Sequence, residues 1–493
     1  MKAAAATGAA LGLGDLSFLS RLPRLSAAET DLSSKIVRFG PDIEPLVQLL
    51  EDTSRERLLE EIGARIRRGL SYREILAALF LAGIRNIQPR PVGFKFHSVL
   101  VINSAHLASI SSPDSDRWLP VFWALDSFKN AQAQDVREGD WTMAPVAESK
   151  VPAAARAKAA FTEAMDHWDE AAADVAVTGL ARTAGAQEIF EIFCRYGARD
   201  FREIGHKAIY VANSWRLLQA IGWHHAEPVL RSLAFALLDR ARDPNPAQAD
   251  LDADRPWRQN LKAAAAIRSD WLDGKPSASA TTDLMETLRQ ASPEEASKKV
   301  IAQLNSGVAP QSIWDALFQG AGELLVRRPG ILSLHAVTST NALHFAFQNS
   351  ASDETRRLLL LQNAAFLPLF RGGPDSLKKI HLDNLQPAKE TTISLDEIFS
   401  EVSRDRMKAA GKLLAYLRSN PNPADFIASA RRLVFLKGTN AHDYKFSSAV
   451  LEDYLQLSPS CRDPYLASSL FYLRGSGDAD NSLVKRTRAA LGA

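Results

Sequence analysis

Residues 75–108 recur without a gap at residues 313–346, and a repeat of this kind restricts the fold more than any single motif does. Eleven of the 34 paired positions are identical. Ile75, Ala78, Leu79, Phe80, Arg90, Pro91, His97, Val99, Asn103, His106 and Ala108 match Ile313, Ala316, Leu317, Phe318, Arg328, Pro329, His335, Val337, Asn341, His344 and Ala346. Composition alone yields roughly two such identities.

A second pair of segments aligns at almost the same offset. Phe190, Arg195, His206, Pro228, Leu230, Ser232, Phe235 and Leu237 match Phe426, Arg431, His442, Pro464, Leu466, Ser468, Phe471 and Leu473. One duplication of a two-unit half accounts for both pairs. The halves run over about residues 40–240 and 284–475, joined by a polar connector over 241–283 and followed by a C-terminal tail over 476–493. Smaller loops are expected at 130–152 and 371–392. Upstream of the first pair, Thr53-Ser-Arg-Glu56 and Ser292-Pro-Glu-Glu295 have the capping-box form, and Gly69 and Gly307 punctuate the helices that follow.

Within each half the apolar spacing is helical. Leu58, Ile62 and Ile66 share a face, as do Ile189, Ile192 and Phe193, and no sustained alternation suggests a sheet. The expected fold is therefore all-α: an internally duplicated helical array or bundle, with two pseudo-twofold halves of two helical units each.

Each unit carries a histidine at the same place: His97, His206, His335 and His442. Only 10 of 493 residues are histidine, so four in equivalent slots is a strong bias. Neutral imidazole is a common ligand for iron, copper, zinc and nickel, and an axis between the halves would bring equivalent helix starts together. The four are expected to hold a metal ion, iron or another transition metal, or a haem. The competing reading is that each ring satisfies a backbone carbonyl at a recurrent helix start.

His106 and His344 form a second duplicated pair, nine residues further on. Nine residues of α-helix rise about 13.5 Å and end half a turn out of phase, so this pair cannot share an ion with the first. Asn103 and Asn341 lie on the face of that second pair, and with His106 and His344 they are expected to orient a polar substrate or the metal's ligands, the alternative being a packing network between the halves. His442-Asp-Tyr-Lys445 places Tyr444 and Lys445 beside the last repeat histidine as acid/base candidates, with solvated helix-start residues as the alternative. Trp118 and Trp123 are candidates for an apolar pocket or for core packing. The single Glu203-x-x-His206 is half of what a di-iron bundle requires.

Other function classes are excluded. A net charge of +2 without basic runs argues against nucleic acid, and no stretch approaches the roughly 18 uncharged apolar residues of a membrane span. Two cysteines, Cys194 and Cys461, build no disulfide framework. There is no P-loop, dinucleotide fingerprint, nucleophile elbow or His-Glu-x-x-His. Residues 1–28 read as a truncated export signal of twin-arginine type lacking its Arg pair, which implies export to the periplasm; the alternative is a disordered Ala-rich terminus.

The segment His335-Ala-Val-Thr-Ser-Thr-Asn-Ala-Leu-His344, the helix containing Leu361-Gln-Asn-Ala-Ala-Phe-Leu-Pro368 and the closing His442-Asp-Tyr-Lys445 together resemble the questin oxidase-like family. That resemblance spans about residues 50–475. It implies a helical enzyme that oxidises a small molecule, in fungal members by Baeyer–Villiger-like opening of an anthraquinone ring. The expected function is thus an oxidoreductase with a histidine-bound redox metal or haem between the halves. The alternatives are a non-enzymatic helical-repeat scaffold with structural histidines, or a periplasmic metal or haem carrier.

Overall fold

The structure is a computed structural model and describes residues 35–239, 244–372, 379–390 and 392–492. Among these residues there are 22 α-helices and no strand; one bridge links Lys275 and Val308. The export-signal-like segment 1–28 lies outside the described residues.

In chain order the first unit comprises α1 (Glu44–Asp52), α2 (Arg55–Arg67), α3 (Tyr72–Asn86), α4 (His97–Ile110) and α5 (Leu119–Glu138). The second comprises α6 (Ala154–His167), α7 (Glu170–Thr183), α8 (Ala186–Gly197), α9 (His206–Ile221) and α10 (Ala226–Leu237). Next come α11 (Arg255–Ala263), α12 (Ala278–Leu288), α13 (Pro293–Asn305), α14 (Pro310–Arg327), α15 (Ile331–Asn349) and α16 (Asp353–Phe370). The chain ends with α17 (Leu395–Val402), α18 (Arg406–Ser419), α19 (Ala424–Lys437), α20 (Ala441–Asp453), α21 (Pro459–Ser469) and α22 (Leu483–Leu491).

Local sequence sets these boundaries. Ser292 and Glu295 close the expected capping box on α13, and Gly69 and Gly307 follow α2 and α13 with φ +104° and +89°. At the other expected box the N-cap is Ser54, one residue later than Thr53, and it makes no side-chain cap bond. Ser71 and Glu74 form a further box at the start of α3.

Three segments expected to be irregular are partly helical. Helix α5 runs to Glu138, through the first third of the 130–152 loop. The polar connector contains α11, which buries only Pro256 and Asn260; the Asn260 amide donates to Gln362 Oε1 at 2.8 Å. The helix is short and amphipathic but polar overall, so it merges with the polar stretch around it. In the tail, α22 packs on α2.

The centre of the molecule is a ring of the four histidine-led helices. Helix α4 packs on α20 and α9, and α15 packs on α9 and α20. All four run in the same direction. Arg216 and Glu452 each stand ten residues after their histidine and pair at 2.9 Å, and Ser448 Oγ donates to Ser104 O at 3.1 Å. Helices α3 and α14 flank the ring and bury Ile75, Phe80, Ile313 and Phe318 completely or nearly so. A buried side chain of this size contributes about 1.5–3 kcal/mol, so the ring is held by a continuous apolar jacket and its polar axis is carried within it.

Candidate metal centre

Because the four central helices are parallel, their N-terminal ends meet at one end of the ring. His97, His206 and His442 are the first or second residues of their helices, and His335 lies in the second turn of α15. Their imidazoles converge there. Ring centroids are 4.8 Å apart for His97 and His206, 4.4 Å for His206 and His335, 4.5 Å for His97 and His442, and 5.2 Å for His335 and His442.

His97, His335 and His442 form a group that can hold a metal ion, each offering a ring nitrogen within 4.8 Å of the others. His206 reaches into the same space. Its Nε2 lies 3.0 Å from His97 Nε2 and 2.8 Å from His335 Nε2.

Three of the rings are oriented from behind. Nδ1 of His97 donates to Phe94 O at 2.9 Å, that of His206 to Glu203 O at 2.8 Å, and that of His335 to Ile331 O at 2.7 Å. A carbonyl only accepts, so the proton is on Nδ1 and the neutral ring turns a bare lone pair on Nε2 toward the centre. Lone pairs on three Nε2 atoms thus face one another at hydrogen-bond distance. Nε2 of His442 is buried and has no hydrogen-bond partner.

Protonation does not relieve this crowding. Burial first, and the charge of Lys445 next, hold His97, His206 and His335 far below the ordinary imidazole value, and the same two causes bring His442 down to about 4. The neutral state that binds metals is the one this environment enforces.

Above the imidazoles a cavity of about 900 Å³ opens. Its floor is the four histidines; one wall is the face of α5 carrying Trp123, Asp126, Asn130 and Gln134, and another is the segment Asp480–Leu483. Arg55 reaches in from α2 and pairs with Asp126 at 2.8 Å. Glu203 also lines the cavity, and burial, with Asp239 adding to it, raises its carboxyl to about 7. Gly93 lies flat against the floor. A Cβ there would stand 3.4 Å from Cε1 of His206 and 3.5 Å from Cε1 of His97, at φ +155°.

The other predicted residues sit elsewhere. Tyr444 is buried and stacked on Trp123 at 4.5 Å, its hydroxyl without a hydrogen-bond partner. Lys445 is 3% exposed, one turn below His442, and its Nζ also lacks a partner; desolvation lowers it to about 7. Neither lines the large cavity. Asn103 and Asn341 lie further down the ring: Asn103 donates to Asn213 Oδ1 at 3.2 Å, and Asn341 donates to Asp453 Oδ1 at 2.7 Å and Glu452 Oε2 at 2.9 Å.

His106 and His344 do not reach the cavity either. His106 Nδ1 meets the Tyr72 hydroxyl at 3.1 Å, and His344 is enclosed by Trp314, Phe318 and Phe347. Both pairs are thus set apart from the imidazole floor by the rise of the helix. Trp123 lines the cavity, whereas Trp118 packs on Tyr72 and Phe122.

Residues missed in the sequence are those of the cavity wall. Asp126, Asn130 and Gln134 recur every four residues along α5 and so share one face of the helix. That stripe was the available signal. Compared with models of protein families, with curated proteins and with solved structures, the chain matches none.

Proposed function

We propose that the protein is a metal-dependent oxidoreductase, in which the imidazoles of His97, His206, His335 and His442 hold a transition-metal ion at the floor of the cavity and a small-molecule substrate is oxidised above it. The observation that carries this reading is the convergence of Nε2 lone pairs that no proton bridges. Two ligands about 2.0–2.1 Å from one ion and at right angles to each other stand roughly 2.8–3.0 Å apart, which is the spacing of His206 from His335 and His97.

The carbonyl bonds of the Nδ1 atoms support the same reading. A metal-bound histidine usually donates its other N–H to a carbonyl or carboxylate, which fixes the ring and sharpens its basicity. The feature expected of purely structural histidines is therefore also the orienting shell of a metal site, and the shared focus of the free nitrogens favours the metal.

A bare ion fits better than a haem. Ligands on opposite faces of a haem stand roughly 4 Å apart with the macrocycle between them, and the 2.8 Å and 3.0 Å separations leave no room for one. All-imidazole coordination suits iron, copper, zinc and nickel. The redox assignment rests on the resemblance to the questin oxidase-like family; the cavity supplies space for the substrate.

Metal analysis of the purified protein should find about one equivalent of a transition metal, lost in His335→Ala and His442→Ala variants that keep their helical circular dichroism. Its absorption or paramagnetic resonance spectrum should change on reduction and recover in air. A colourless, metal-free protein that gains no ion on addition of iron(II) or copper(II) would remove the metal centre; a stoichiometric ion with no reversible redox change would remove the oxidoreductase.

A further inference from the structure

The floor of the cavity carries more positive potential than its ligands alone suggest. Four parallel helices direct their N-termini at it, beginning at His97, His206, Ile331 and Ala441. Each N-terminus acts as roughly half a positive charge over its first turn. Lys445 adds an amine that is buried one turn beneath His442 and has no hydrogen-bond partner.

Little nearby balances this. The histidine group includes no carboxylate. Of the acids on the cavity wall, Asp126 pairs with Arg55 and Asp480 with Lys437, which leaves Glu203, among the described residues, as the one carboxyl of the lining outside a salt bridge. Beside the floor, Asp443 is taken by Arg474 at 2.7 Å. A cation entering such a place on neutral ligands alone brings a charge that the surroundings oppose. An anion bound to it on the cavity side removes that opposition, and the two ligands then strengthen each other reciprocally.

Resting on the metal reading above, we infer that the centre takes an oxyanion from the cavity as its remaining ligand, so that the substrate binds through a carboxylate or a similarly ionised oxygen. The neutral amide or ether analogue of such a substrate loses both the contact to the ion and the attraction of the four helix ends. Lys445 acts from beneath the floor as a positioning charge and does not touch the anion.

Cobalt(II) replaces the native ion for the test, because its visible bands report its ligands. Azide titrated into the cobalt-loaded protein should shift those bands along a saturable curve. Benzoate should compete with azide and benzamide should not, which separates oxyanion binding from simple occupation of the cavity. The apparent affinity for cobalt should rise about tenfold at saturating azide. In Lys445→Met, cobalt should still bind at one equivalent while azide binds severalfold more weakly than in the wild type at pH 6, where the amine keeps its proton.

Failure of cobalt to bind at all would count against the metal centre itself. Cobalt bound at one equivalent with bands indifferent to azide and benzoate would overturn the anion ligand and leave the metal centre standing. So would equal competition by benzoate and benzamide. Unchanged azide affinity in a folded, cobalt-loaded Lys445→Met protein would overturn the part assigned to the amine.

Discussion

At the scale of single residues, the two histidine pairs that align in the sequence have different environments. The His97 and His335 rings turn their free nitrogens toward a common point, whereas the His344 ring is enclosed by aromatic side chains. Burial first, and Arg216 second, lower His344 to about 3. The unfolded chain takes up a proton on this ring near pH 6.5, while the folded protein resists it until about 3, so stability falls as the pH drops through that window and rises again with pH. The expected slope is about 1.4 kcal/mol per pH unit from this ring. Urea unfolding at stepped pH should show a smaller slope in His344→Gln than in the wild type, and equal slopes would place the ring in a polar or open setting.

Gly93 provides a second prediction at this scale. Its positive φ disfavours any side chain, while a methyl group there would meet the imidazole carbons at 3.4–3.5 Å, ordinary van der Waals contact. Gly93→Ala should therefore cost roughly 1–2 kcal/mol of stability from the strained backbone and leave the metal affinity unchanged. A metal titration beside a thermal melt checks both, and a weakened affinity would mean that the backbone at Gly93 holds the rings in place.

At the scale of elements, the four central helices carry two polar layers with different tasks. The upper layer is the imidazole floor. The lower layer ties helices together: Asn341 on α15 donates to Asp453 and Glu452 on α20, and Tyr465 on α21 donates to Asp453 at 3.0 Å. Burial drives the Asp453 carboxyl well above its ordinary value. Asn341→Leu removes two donors from this network, and a buried acceptor left without its partner costs about 1–3 kcal/mol. The variant should therefore unfold at lower urea while retaining its metal. Metal loss together with unaltered stability would instead tie Asn341 to the centre.

These helices also show what the sequence made readable. Repetition of one residue type at one register needs no tertiary information, so the convergence of His97, His206, His335 and His442 could be anticipated from spacing alone. The direction of the helices could not, because nothing in the spacing separates a parallel ring from an antiparallel one. Asn103 and Asn341 stand six residues, about 9 Å of helix rise, below the floor whichever way the helices run; what the sequence hid was their partners Asn213, Glu452 and Asp453 on neighbouring helices. Helix α11 was hidden because its nine residues are mostly polar and follow a stretch rich in Pro and Asp. The polar stripe of α5 was visible but lacked a partner until the fold placed it opposite the histidines.

At the scale of the whole molecule, the end of the chain closes the cavity begun by its first helices. Asn481 anchors the returning segment: its backbone N–H donates to Leu436 O at 2.6 Å and its side-chain amide to Gly438 O at 2.6 Å, just ahead of His442. The chain then lines the cavity from Asp480 to Leu483 and lays α22 across α2, where Arg486 pairs with Glu60 at 2.8 Å and Arg67 donates to Ala490 O. Gly63 makes this crossing possible. A Cβ built there would stand 2.2 Å from Ala490 O, a backbone atom that cannot yield without moving the helix. Gly63→Val should therefore dislodge α22 while the rest of the fold, whose core lies around the central ring, stays intact. Limited proteolysis should cut the variant between residues 478 and 486 at a rate at which the wild type resists, and metal should remain bound because no imidazole depends on α22. Resistance equal to that of the wild type would mean that α22 accommodates the bulk by sliding on α2. Loss of the metal along with the helix would show instead that the C-terminal wall holds the histidine floor in shape.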